Sequence, residues 1–241
     1  MRRHVLDDGA VLSVRARAFL DEHAERTPVD LEHPRRWYGC TDVHNDVVPG
    51  PEGGLERLET FIARYGGLWF CGERPGCLGK HEHQYRFDHI LTSGWEQLEG
   101  DEWTATVGDV DGGYPLGLSW STGRISVVDP DTWIANDADN LIESSALGQA
   151  VYADRTWSEA VPVGGRGPGW GLEGVTSDRF RGLVPEALEA SSPWNRWYLD
   201  EQVAVHAWQV TYDPARPEVV MAWYRGAEGR RRIEAAVGPL Q

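Results

Sequence analysis

Four potential metal ligands fall within thirteen residues, as Cys71-x5-Cys77-x3-His81-x-His83. Thiolate and imidazole are common zinc ligands. The spacing argues against zinc, because structural sites use C-x2–4-C and H-x3–5-H pairs. A His-x-His pair on a strand also splays to opposite faces. The expectation is a chain with no bound metal and no cofactor, its histidines solvated beside small apolar cysteines.

Carboxylates are the second concentration. Three Asp-x-Asp pairs occur, Asp109/Asp111, Asp129/Asp131 and Asp137/Asp139. Such pairs can hold Ca²⁺ or Mg²⁺, but none sits in an EF-hand frame with its central glycine and distal glutamate. Aspartate is also a preferred turn and N-cap residue, and all three pairs fall where turns are expected. Nucleophilic chemistry has no frame either. Gly-x-Ser-x-Gly is absent, and the glycine loop Gly164–Gly169 lacks both the Walker lysine and the Rossmann spacing.

The 12 tryptophans are a third excess. Trp69, Trp120, Trp133, Trp208 and Trp223 lie within strand patterns and read as core. Trp194 and Trp197, in SSPWNRWYLD, lie outside any such pattern and are candidates for a contact surface.

Charge narrows the partners. Asp plus Glu total 38 against 23 Lys plus Arg, for a formal net charge of −15. That field repels nucleic acid and anionic lipid and favours a cationic partner. There is no apolar run of membrane-spanning length. The N-terminal MRRHVLDDGA is acidic where a secretory signal would be apolar, and three cysteines suit a reducing cytoplasm.

These residues need elements to position them. Ala10–Arg26 reads as a helix with Leu12, Ala16, Phe19, Leu20 and His23 on one face. A second helix carries Leu55, Leu58, Phe61, Ile62 and Tyr65, and Gly66-Gly67 stops it. Leu68–Cys71 reads as a short buried strand. Gln84–Thr92 alternates Tyr85, Phe87, His89 and Leu91 on one side. Thr104–Val107 is a strand, Gly108–Gly113 a turn, and Leu116–Trp120 with Arg124–Val128 an antiparallel hairpin about Ser121-Thr122-Gly123. Asp137 or Asp139 then caps a helix bearing Leu141, Ile142 and Leu147. Downstream, a glycine-rich stretch at Val163–Gly174 precedes two strands, Val203–Tyr212 and Glu218–Tyr224, that form a C-terminal hairpin.

An amphipathic helix ending in Gly-Gly, a meander and an acidic loop into a short helix together resemble the SUKH superfamily. That group includes bacterial immunity proteins and a fungal regulator of cell-wall synthesis. The resembling residues are Leu58-x2-Phe61-Ile62-x2-Tyr65-Gly66-Gly67, Gly108, Asp111, Pro115-Leu116, Gly123-Arg124-Ile125, Trp133-Ile134-Ala135 and Leu141-Ile142, about the middle half of the chain. All are packing and turn residues. The resemblance implies an α+β fold, an antiparallel β-meander sheet packed by helices, with N- and C-terminal extensions. The expected organisation is a core with the N-terminal helix in residues 1–152 and a C-terminal extension in 153–241, either separate or part of the same domain.

The expected function is that of a non-enzymatic, cytoplasmic immunity protein neutralising a cognate toxin by direct contact, the toxin being basic and of a kind such as a nuclease. Neither nucleic acid nor membrane is an expected partner. The loop Asp129–Glu143 packs Asp129, Asp131, Asp137, Asp139 and Glu143 into fifteen residues without a cation among them, and with Trp194 and Trp197 it forms the predicted contact set. The alternative is a carbohydrate-handling enzyme or binding module using surface Trp and carboxylates.

Overall fold

Ser13 opens the first helix: its Oγ accepts the Ala16 amide at 3.1 Å, as an N-cap should. The structure is a computed structural model. It describes the whole chain except residues 1–2, 9–10, 31, 33–34, 37, 74–81, 88–93, 99–101, 128–132, 163–164, 166–170 and 210–217. Helix α1 spans Val14–His23 and buries Ala16, Phe19 and Leu20. It is shorter than the periodicity predicts. Ala24–Arg26 leaves the helix as strand β1 and pairs antiparallel with Leu68–Phe70. Strand pairing satisfies those backbone groups, and this overrides the good helical propensity of Ala, Glu and Arg.

Strand β2 (Gly39–Thr41) precedes helix α2, Gly54–Tyr65. Leu58, Phe61, Ile62 and Tyr65 are buried on one face, as their spacing requires. Gly67 then takes φ 78°, and a Cβ there would lie 2.0 Å from the Thr27 carbonyl oxygen. Only glycine serves both demands.

Seven further strands complete the first sheet: β3 (Leu68–Glu73), β4 (Glu82–Arg86), β5 (Gly94–Gln97), β6 (Trp103–Val110), β7 (Tyr114–Ser119), β8 (Ile125–Val127) and β9 (Trp133–Ala135). The order is β1-β3-β4-β6-β7-β8-β9, with β5 also on β6 and β2 parallel to β5. One edge of β6 serves two partners. Trp103 and Thr104 pair with β5, and Asp109 and Val110 pair with β4. Its pairing with β7 slips between Thr106 and Gly108, a bulge. The expected turn at Gly108–Gly113 is therefore only Asp111–Gly113, because the strand runs on to Val110. Asp111 (φ 56°) and Gly112 (φ 69°) both turn left-handed there. The β7–β8 hairpin forms as predicted, with Gly123 at φ 79°. His89 and Leu91 lie outside the described residues.

Aromatic rings join these layers. Phe61 of α2 meets Phe87 edge-on at 5.5 Å, Phe19 of α1 meets Phe70 edge-on at 5.8 Å, and Phe70 stacks on Tyr85 at 5.1 Å.

The chain divides into two compact units, one of Met1–Gly72 and His83–Leu141, the other of Glu73–Glu82 and Ile142–Gln241. The division falls within helix α3 (Ala138–Tyr152) rather than after it. Leu147 and Val151 of that helix pack among Trp197, Ala204 and Trp223 of the second unit.

The second unit carries a four-stranded antiparallel sheet, ordered β10 (Ser158–Glu159), β13 (Val219–Tyr224), β12 (Val203–Trp208), β11 (Asn195–Leu199). Helix α4 spans Gly226–Val237. All six residues of β12 are buried, so its alternation divides two cores instead of core and solvent. Val203, Val205 and Ala207 meet Ile233 and Ala236 of α4, and Ala204 and Trp208 meet Leu147 and Val151. The predicted hairpin is thus β12–β13, and the fold class is α+β, antiparallel sheets packed by helices. Among the described residues no helix is long and apolar enough to cross a membrane.

Candidate binding cleft

A cleft of about 930 Å³ opens in the first unit where α2, the β7–β8 hairpin and the start of α3 converge. Phe61, Tyr65 and Leu118 supply its apolar lining, and Trp120, half-buried, adds an aromatic face. Trp120 therefore lines the cleft and is not the core residue that its strand pattern suggests.

Arg64 stands in the last turn of α2 and is buried despite its charge. Its Nε donates to the Tyr65 hydroxyl at 3.0 Å, and its Nη2 donates to both carboxylate oxygens of Asp139, at 3.2 and 3.1 Å. Burial alone would lower its pKa. The hydrogen bonds and charges of Tyr65 and Asp139 outweigh that and hold the guanidinium charged. Burial, then the Asp139 charge, pushes the Tyr65 phenol well above its ordinary range. Asp137 caps α3: its Oδ1 accepts the Asn140 amide at 2.7 Å, and Asn140 Oδ1 accepts the Asn136 amide at 3.2 Å. The two bonds run in series and need an acceptor side chain at both positions.

The cleft lining holds five carboxylates and three guanidiniums. Asp139 and Arg64 neutralise one another. The remaining acids are Asp8, Glu52, Glu56 and Asp137, all exposed, against Arg3 and Arg57. The open rim is net acidic, around an aromatic wall.

The predicted contact residues separate on this frame. Asp137 and Asp139 line the cleft together. Asp129 and Asp131 lie outside the described residues. The expectation that this loop has no compensating cation fails at Asp139, because Arg64 arrives from α2, 75 residues away. Glu143 is 4% exposed on α3 and belongs to the second unit. Trp197 is 1% exposed, a core residue and not a surface anchor. It lies on β11, its Nε1 donates to Ser144 Oγ at 3.0 Å, and it stacks on His206 at 4.0 Å and 6°. Trp194 is half-buried and lines a separate hollow of about 250 Å³ with Arg196 and Glu218.

The metal candidates divide similarly. Cys77 and His81 lie outside the described residues. His83 is buried with its Nδ1 2.6 Å from Asp111 Oδ2, and Asp111 Oδ1 accepts the Gln84 amide at 2.8 Å. Asp109 Oδ1 accepts the Gly112 amide at 2.8 Å. One oxygen of Asp109 and both of Asp111 thus have partners in and beside the turn. Among the described residues no group of three His, Cys, Asp or Glu could hold a metal ion.

Helical spacing does not single out Arg64 or Arg57, since both read as the polar complement of an amphipathic helix. The available signal is local: Arg64 sits three residues after Phe61 and beside Tyr65, next to the apolar stripe. No protein family matches the chain, and neither a characterised protein nor a solved structure matches it.

Proposed function

We propose that this chain is a non-enzymatic binding protein that docks a cationic protein surface in its acidic cleft, in the manner of the SUKH immunity proteins it resembles. The observation that carries the reading is the rim of Glu52, Glu56 and Asp137 beside Trp120. Such a rim receives Lys or Arg side chains, with an indole face available for cation–π contact. The overall charge of −15 adds long-range steering toward a basic partner. The partner in this reading is a basic toxin domain, such as a nuclease, neutralised in the bacterial cytoplasm.

The test is association with the toxin domain encoded by the adjacent gene. Asp137 and Asp139 are poor probes, because one caps a helix and the other pairs with Arg64. Glu52 and Glu56 are exposed and better suited. The double variant Glu52→Lys/Glu56→Lys should slow association about tenfold at low salt and much less at high salt, with little change in melting temperature. An association rate unchanged at both ionic strengths would sink the proposal.

A further inference from the structure

A second site lies on the outward face of the first unit's sheet, across four neighbouring strands. Glu25 of β1 stands directly opposite Trp69 of β3. Gln84 and Arg86, two apart on β4, are both exposed and share one face. Arg86 stands opposite Asp109 of β6. These side chains, with Thr27 and Gly112, line a hollow of about 280 Å³ in which a half-buried indole lies among charged, amide and hydroxyl groups. Beneath them the opposite faces of β3 and β4 hold Phe70 and Tyr85, both at most 1% exposed, so the platform rests on a packed core.

We infer that this hollow binds one neutral pyranose ring, stacked on Trp69. It is smaller than sites for drug-sized ligands, which run about 300–1,000 Å³, and suits a single ring. A pyranose presents an apolar C–H face, which an indole covers, and a rim of hydroxyls that both donate and accept. The surrounding groups match that rim. Glu25 and Asp109 accept, Arg86 donates, and the Gln84 amide does both. Two carboxylates against one guanidinium disfavour phosphate and other anions. Asp109 is fixed before a ligand arrives, because its Oδ1 already accepts the Gly112 amide at 2.8 Å. The site is distinct from the acidic cleft and does not rest on the docking reading.

The test uses the full chain with a panel of neutral methyl pyranosides and N-acetylglucosamine. Saturation-transfer NMR reads contact, and calorimetry reads affinity. At least one sugar should receive saturation at its ring protons, with a dissociation constant in the millimolar range. Trp69→Ala should weaken binding at least about tenfold, and Gln84→Ala several-fold. Both effects are read on protein whose melting temperature is near wild type, so Gln84→Ala decides if Trp69→Ala fails to fold. No transfer from any sugar at millimolar concentration would overturn the inference. So would equal binding by a folded Trp69→Ala or Gln84→Ala variant.

Discussion

Arg64 and Asp139 lie 75 residues apart in the chain, yet one guanidinium nitrogen donates to both carboxylate oxygens, at 3.2 and 3.1 Å. The pair ties the last turn of α2 to the first turn of α3, and both side chains are largely withdrawn from water, at 10% and 28% exposure. Removing one member leaves the other poorly solvated. Arg64→Met should therefore destabilise by about 1–3 kcal/mol, read by urea unfolding. The double variant Arg64→Met/Asp139→Leu should recover much of that loss, since no buried charge is then stranded.

Asp137 is a cap first and a cleft residue second. Asp137→Ala should cost about 1 kcal/mol, while Asp137→Ser should stay near wild type because a hydroxyl can also accept the Asn140 amide. Thermal melts of the two variants check this. Equal loss in both would mean that the charge, and not the cap, matters.

His4 gives a pH dependence. It is 3% exposed, and burial followed by the charge of Arg26 lowers its pKa from 6.5, with Arg64 acting the same way and a backbone hydrogen bond to Gly66 and the charge of Asp7 opposing. The folded state therefore holds the neutral ring, while the unfolded chain takes up a proton near pH 6.5. Stability from this site is fully present above that pH and is lost as pH falls through the folded value. Stability should drop between pH 7.5 and 5, and His4→Asn should show a shallower drop across the same range. Parallel curves for the two proteins would remove His4 as the cause.

Phe61 closes the aromatic core beneath the cleft, in contact with Tyr65 and Phe87. Phe61→Ala should cost about 3–5 kcal/mol, toward the lower end because the ring is 9% exposed at the cleft. Differential scanning calorimetry measures it. A melt unchanged by the substitution would mean that α2 does not pack through this face.

Helix α2, the β7–β8 hairpin and the β12–β13 pair were all determined by the sequence itself. Each rests on short-range regularity: Leu58, Phe61, Ile62 and Tyr65 at helical spacing, Gly123 where a turn needs positive φ, and apolar runs bounded by polar breaks. Asp137 as a cap was legible for the same reason, because its partner amide is three residues away. Tertiary structure decided the rest. Helix α1 stops at His23 because β3 offers Ala24–Arg26 a pairing edge. Trp197 is core because β12 and Ser144 come to it, though its neighbours in sequence carry no strand pattern. Asp139 found its cation on α2, and Trp69 its polar surround on three other strands. Local periodicity tells which face of an element turns inward, but charge pairing, burial depth and site geometry depend on what lies across from that face.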